Sequence, residues 1–341
     1  MQNLSFSGYH NRPPQADDPL LTWVGALLIG FLCLPLLAAG QAVYPNKPIR
    51  VVVPFAPGGG VDNFARPLAQ KLTEQLGQQA VVDNRPGASS LIGSALVAGA
   101  AADGYTLLCT FDSPLLIATL ITKNPPYHPI RDFTPIISAA TTPIVFVVHA
   151  SLPAHSTKEL IEYARKNPGQ LAYVTAGSGT QQHLTGESFA LATKTKMTHV
   201  AYKGGGQALT DLLGGHVKMG ILVVSTVHPH IQSGKLRALA VTGSRRTKTY
   251  PELPTISESG VPGFAMPDVS LVILGPARLP APLVKRINGE VQNALLASEV
   301  RSALEKIGYE PTPGTPEASG AQTVKNYAMY QRMVKETGLT Q

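Results

Sequence analysis

The sequence predicts an α/β fold with mostly parallel sheets, and two observations carry that prediction. Strand-like apolar runs alternate with stretches of helical spacing along nearly the whole chain after Tyr44. Three of those strands run into a glycine turn that opens a helix. Of the 341 residues 44% are hydrophobic and 14% charged, which suits folded α/β material and leaves room for two domains of ordinary size.

The first strand is Ile49 to Val53, a β-branched run suited to burial on both faces of a sheet. Pro54-Phe55-Ala56-Pro57-Gly58-Gly59-Gly60 then turns the chain, and Ala65, Leu68, Ala69, Leu72 and Leu76 make one apolar helical face over 63–76, with Asp62 or Asn63 available to cap it. Pro67 inside that helix predicts a kink or a later start. Strand 79–82, helix 92–100 and strand 105–109 continue a βαβ rhythm, which implies right-handed crossovers and sites at the carboxyl ends of strands. After a hinge-like Pro143, strand 144–148 carries the chain into a second unit. There helix 156–167, strand 171–175, helix 181–193, strand 197–201, helix 206–213, strand 217–224 and strand 236–241 follow. A Pro/Gly-rich return reaches Leu271 to Leu274, and helices near 280–297, 299–307 and 316–336 are expected to pack back on the first unit.

Residues 1–42 stand apart. An almost uninterrupted apolar run from Leu20 to Ala39 follows a polar leader, and Ala38, Ala39, Gly40 and Ala42 supply small residues for a signal peptidase. Arg12 is the one basic residue of the leader and about twenty apolar residues can span a bilayer, so an uncleaved anchor is the alternative to export with cleavage. Removal of residues 1–42 leaves 27 basic and 19 acidic residues, a formal charge of +8. That balance favours anionic solutes, but the bases are scattered and no aromatic-basic module for nucleic acid is present. Arg245-Arg246-Thr247-Lys248 reads as a solvated loop. Cys33 falls in the leader, so Cys109 has no disulfide partner in the mature chain and reads as a buried core thiol.

The chemistry lies in the glycine turns. A helix start aims unpaired N–H groups and the positive end of its dipole at whatever sits before it, so the turn at Gly58-Gly59-Gly60 is a carboxylate or phosphate site. The device recurs at Ala176-Gly177-Ser178-Gly179-Thr180, where Thr180 is an N-cap, and at Lys203-Gly204-Gly205-Gly206. Neither G-x-x-x-x-G-K-[ST] nor a G-x-G-x-x-G with its ribose-binding acid is present, which places a small carboxylate ahead of a nucleotide cofactor, and no cofactor is expected. Ser178, His183 and Glu187 invite a hydrolase reading. Ser and His five residues apart on a loop and helix start do not make a nucleophile elbow, so no enzyme activity is expected. His228-Pro229-His230 lacks a third nearby ligand and reads as a turn, not a metal site.

Tyr44-Pro45-Asn46-Lys47-Pro48-Ile49-Arg50, Pro54-Phe55-Ala56-Pro57-Gly58-Gly59, Asn84-Arg85-Pro86-Gly87-Ala88, Ala102-Asp103-Gly104-Tyr105-Thr106, Tyr202-Lys203-Gly204 and Gly234-Lys235-Leu236-Arg237-Ala238-Leu239-Ala240-Val241 occur in an order that resembles the Bug proteins, or TctC family. These are the extracytoplasmic receptors of tripartite tricarboxylate transporters. The resemblance implies a two-lobed periplasmic binding protein of type II, with lobe 1 formed by 43–145 and 246–341, lobe 2 by 146–245, and a hinge between them. It implies a monomer that closes on a small carboxylate and serves the large and small membrane subunits of such a transporter, with a ligand sensor for a membrane signalling protein as the alternative. Pro57, Gly58, Gly59, Gly60 and Asp62 in one loop and Ser178, Gly179 and Thr180 in another would face the ligand; His183 would contact it or brace the lobes, and Tyr202 and Lys203 would line or brace the cleft. The chain departs from the family at Ala118-Thr119, Leu222-Val223 and Ser270-Leu271, where polar or aromatic residues are usual. The cleft wall is therefore expected to be unusually aliphatic, and Asp112 either meets a ligand amine or caps a loop.

Protein recovered from a native periplasmic fraction is expected to begin near Gln41 or Val43, which N-terminal sequencing checks; an intact leader in the membrane fraction would mark an anchored protein.

Overall fold

The computed structural model describes residues 44–339, together with Asn3 and Gly8. The leader, its cleavage region and Cys33 lie outside the described residues. The first strand, β1 (Ile49–Val53), is buried on both faces, as its β-branched run requires, and leads to helix α1 (Gly60–Leu76). Strand β2 (Ala80–Asn84), a short 3₁₀ turn, α2 (Leu91–Ala98), β3 (Thr106–Phe111), α3 (Asp112–Ile121) and β4 (Phe133–Thr142) follow. The chain then crosses at Pro143 into β5 (Ile144–His149), α4 (Thr157–Lys166), β6 (Ala172–Thr175), α5 (Gln181–Thr193), β7 (Thr198–Ala201), α6 (Gly205–Leu213), β8 (Met219–Val223), α7 (Val224–Gln232) and β9 (Leu236–Val241). It returns through β10 (Val269–Pro276), α8 (Ala281–Leu296), α9 (Ser298–Glu305), β11 (Glu310–Pro311) and α10 (Pro316–Thr337).

Two sheets result, ordered β11-β4-β10-β3-β1-β2 and β7-β6-β8-β5-β9. The expectation of mostly parallel pairing needs correcting. β1 runs parallel with β2 and β3, and β6 with β7 and β8, but β10 is antiparallel to β3 and β4, β11 to β4, and β5 to β8 and β9. The reason is topological. β5 and β10 are the strands that enter from the other sheet without a helical crossover, so the geometry that enforces parallel βαβ units does not act on them.

The division at Tyr44 leaves Pro45–Gln341 as one compact unit. In it Val52, Leu108, Val272 and Leu274 pack under the helices of the first sheet, and Val145, Val147, Val174 and Leu222 under those of the second. A third cluster joins α3, α5 and α10 through Leu116, Ile117, Leu184 and Tyr330. Cys109 is buried with a free thiol, and burial pushes its pKa up, as a core thiol requires.

Helix α1 starts three residues earlier than expected and runs through Pro67. Four elements were invisible to the periodicity: α3, β4, the two-residue β11 and α7. The last replaces the turn expected at His228-Pro229-His230, since Pro229 sits inside it. Helix α5 has almost no exposed face along its first turns, and Gly186 is why it fits. A Cβ at Gly186 would lie 2.4 Å from Tyr173 Cε2, and the Tyr173 ring is fixed by the bond its hydroxyl donates to Glu187. Gly186→Ala is expected to lower stability by roughly 1–3 kcal/mol through overpacking, read as the shift in a denaturant midpoint; an unchanged midpoint would show that this contact yields freely.

Candidate functional site

Five helices begin at one cavity. Gly59, Gly60 and Val61 at the start of α1, Phe111 and Pro114 at α3, Thr180 and Gln182 at α5, Gly205 at α6, and Val223 and Thr226 at α7 all line it, with Phe55, Ala176 and Leu222. The five preceding strands, β1, β3, β6, β7 and β8, deliver their helices from carboxyl ends, which is where open α/β sheets place ligands. The cavity measures about 20 Å³, enough for one water.

Two of the three glycine turns touch here. Ala56 N–H donates to Lys203 O at 3.1 Å, and a Cβ on Gly206 would lie 2.7 Å from Pro57 O. Gly59 has φ −85°, which any residue adopts, so its glycine is required for space: a Cβ there would stand 3.3 Å from Gly205 N. The turn at Gly177 to Thr180 joins them through Ala176 and Thr180, and Thr180 caps α5 as expected, its side chain accepting from His183 N.

The remaining expected residues lie behind this surface. Asp62 does not cap α1; it is 3% exposed and accepts from Gly58 N–H at 2.9 Å, Asn84 Nδ2 at 3.0 Å and the Arg66 guanidinium at 2.8 and 3.0 Å. Burial alone would raise its pKa, but these donors outweigh burial and hold it below the usual carboxylate range. Gly58 is thereby committed to Asp62, and Pro57 to the contact with Gly206. Gly179 packs on Ala118 of α3, and half-buried Ser178 lies beside it. The His183 ring stacks on His199 with centroids 3.7 Å apart, and its Nδ1 accepts from Gly179 N–H, which puts the proton of the neutral ring on Nε2, 3.8 Å from Glu187. Burial lowers both histidine pKa values, His199 to about 3 with His183 as the second cause, so the pair is neutral. Tyr202 is half-buried and donates to Asp211, while the Lys203 side chain is exposed and its backbone serves the loop contact. Neither lines the cavity.

Leu222 and Val223 stand in the wall as expected; Leu271 does not, being fully buried in β10 opposite Phe111. Phe55, Val61, Phe111, Pro114, Gln182 and Thr226 escaped the sequence reading as site residues, whereas Ala176 and Gly205 belong to the glycine turns it singled out. Pro114 in the first turn of α3 was the usable signal, because proline favours helix starts. No lining residue carries a charge, so the field in the cavity comes from helix dipoles and orphan N–H groups.

Asp112, the first residue of α3, lies behind the cavity and does not line it. It is 2% exposed and accepts from Asn326 Nδ2 of α10. Four residues on, Tyr330 donates to Gln181, the first residue of α5, so α10 holds two of the five helix starts.

A model of the TctC family, described as tripartite tricarboxylate transporter family receptor, matches residues 64–339. The chain belongs to that family. It is 36% identical over 296 residues to protein BugT of Bordetella pertussis (strain Tohama I), covering 86% of this chain and 90% of BugT. Among solved structures, R. palustris Rpa4515 with adipate superposes with a TM-score of 0.84 at 34% identity, covering 87% of this chain and 99% of that one. MatC from Rhodopseudomonas palustris with bound malate gives 0.80 at 27%, covering 85% and 100%. The TctC receptors bind solutes and are not enzymes, in keeping with a His183 ring that stacks on His199 and makes no bond to Ser178. Among the described residues no helix is long and apolar enough to cross a membrane.

Burial raises the Asp112 pKa to about 6 against the opposing bond from Asn326. Between an ordinary aspartate value and 6 the native protein keeps a proton that the unfolded chain has released, so Asp112 withdraws stability as pH rises through that range. The penalty is fully present above pH 6, at roughly 3 kcal/mol. Asp112→Asn removes the charge while keeping an acceptor for Asn326. Its thermal midpoint relative to wild type is expected to climb between pH 4 and pH 7.5; a difference independent of pH would show that Asp112 titrates normally.

Proposed function

We propose that this chain is an exported receptor that captures a small carboxylate between two lobes and delivers it to the large and small membrane subunits of a tripartite tricarboxylate transporter. The observation that carries the reading is the ring of five helix starts around a cavity with no charged side chain. Such a ring stabilises an anion through dipoles and backbone donors. Rpa4515 and MatC, solved with adipate and malate, support the carboxylate assignment, and the family description supports the transporter.

The lobes correspond broadly to the two sheets: the first is 43–145 with 246–341 and the second 146–245. The chain crosses between sheets at Pro143, which leaves the first two residues of β5 on the first-lobe side of that bound, and again between Val241 and Val269. A cavity that admits one water cannot admit a carboxylate without movement, so the glycine turns part on entry and close over the ligand. Pro57, Gly58 and Asp62 shape the first turn, with Gly59 and Gly60 presenting N–H groups. Ser178 and Gly179 shape the second, ahead of Thr180. His183, Tyr202 and Lys203 brace these turns from behind.

Gly59→Val fills the space between the starts of α1 and α6 at a backbone torsion valine tolerates. Titration calorimetry with adipate and malate is expected to show affinity at least about tenfold weaker for whichever binds, the loss of one charge-assisted hydrogen bond, with the unfolding midpoint kept within a few degrees. Unchanged affinity in folded Gly59→Val protein would exclude the turn as the binding site.

A further inference from the structure

We infer that the solute is a monocarboxylate with an apolar body, and that the hydroxyl of Thr226 is the side-chain donor to its carboxylate. This rests on the carboxylate-receptor reading and deepens it. The cavity has two unlike ends.

At one end meet the starts of α1, α6 and α7. None of the three has a side-chain cap, so their first N–H groups are not claimed by a neighbouring side chain. Thr226, third residue of α7, sits among them. It is 4% exposed, and its Oγ1 has no hydrogen-bond partner. A Cβ on Gly205 would lie 3.1 Å from that oxygen, which places the hydroxyl at the mouth of α6, and a Cβ on Gly59 would stand 3.3 Å from the N of the same glycine. A buried hydroxyl without a partner is costly, and an acceptor arriving in the cavity would satisfy it. Two open helix starts, the N–H groups of α7 beyond Val224, whose own N–H donates to Pro143 O, and a waiting hydroxyl make a carboxylate site with no cation in it.

The other end, formed by α3 and α5, is poorly equipped for a second anion. Pro114 has no N–H to give, and Thr180 already caps His183 N. The Asp112 carboxyl stands at the start of α3, where it would oppose another negative group. Phe111, Pro114, Leu222 and Val223 supply the intervening wall, and Gln182 is the polar residue that remains. One neutral amide does not replace the hydration of a carboxylate. Hydrocarbon, aliphatic or aromatic, is the chemistry this end accepts.

Matched acids that differ only in the far carboxylate test this: butyrate and succinate, hexanoate and adipate, octanoate and suberate, each titrated calorimetrically into wild type, Thr226→Val and Thr226→Ser. The monoacid of at least one pair is expected to bind wild type about tenfold or more tighter than its diacid. Thr226→Val should weaken that monoacid by about tenfold and Thr226→Ser by less than threefold, with unfolding midpoints alike. A diacid binding as tightly as its monoacid in every pair that binds overturns the ligand class. Unchanged monoacid affinity in folded Thr226→Val overturns the role of Thr226. If neither these acids nor malate nor citrate binds wild type, the carboxylate reading itself fails and takes this inference with it.

Discussion

The close approach of two backbones, Ala56 to Gly60 against Lys203 to Gly206, is the constraint on which the rest of the site depends. A hydrogen bond from Ala56 to Lys203 fixes the spacing, and Gly206 leaves less than a methyl group of room before Pro57 O. Since one loop follows a strand of the first sheet and the other a strand of the second, this contact sets where the two sheets face each other. Glycine is demanded at Gly59 and Gly206 by distance, and at Gly58 (φ +79°) and Gly204 (φ +151°) by torsion. Any side chain at Gly59 or Gly206 would hold the starts of α1 and α6 apart and let water between them, and water screens the dipole field that makes the cavity attractive to an anion.

The second tie runs through α10. Its Asn326 and Tyr330 lie one turn apart and reach Asp112 and Gln181, which begin α3 and α5. Tyr330 is 1% exposed and sits in the apolar cluster with Leu116, Ile117 and Leu184, so its bond is shielded from solvent competition. Two helix starts that line the cavity are thus placed by a helix that does not line it, and that helix comes from the last residues of the chain.

These two ties explain what the sequence made legible. The glycine turns were readable because they combine a β-branched strand, a torsional break and a helix start within ten positions, as at Val53 to Asp62 and Val174 to Thr180, the second with a true cap at Thr180. Long helices such as α1 and α8 were readable from their apolar stripes. Helix α3 was not, because it is buried on every side and its run Leu115-Leu116-Ile117-Ala118 carries no stripe. Helix α7 was hidden by Pro229, and with it Thr226. The side-chain partners were beyond reach in principle: Asp62 with Arg66 is local, but Asp112 with Asn326 joins residues 214 apart, and nothing in either neighbourhood marks the other. Asp62 and His183 were located correctly near the turns, yet both were spent on holding them.

That expenditure bears on how such a site releases its ligand. Asp62 and Arg66 neutralise each other behind the first turn, and His183 and His199 are neutral behind the second, so no formal charge in the lining is left to be neutralised by the ligand or stranded by its departure. A lysine or arginine in the wall would attract a carboxylate more strongly. It would also be buried without a partner whenever the closed cavity stood empty, a state several kcal/mol above the paired one. Helix starts avoid that state. Their donors are fixed, individually weak and divided among elements of both sheets, so an anion is held fully only when the turns have met around it, and separation of the turns weakens every contact together.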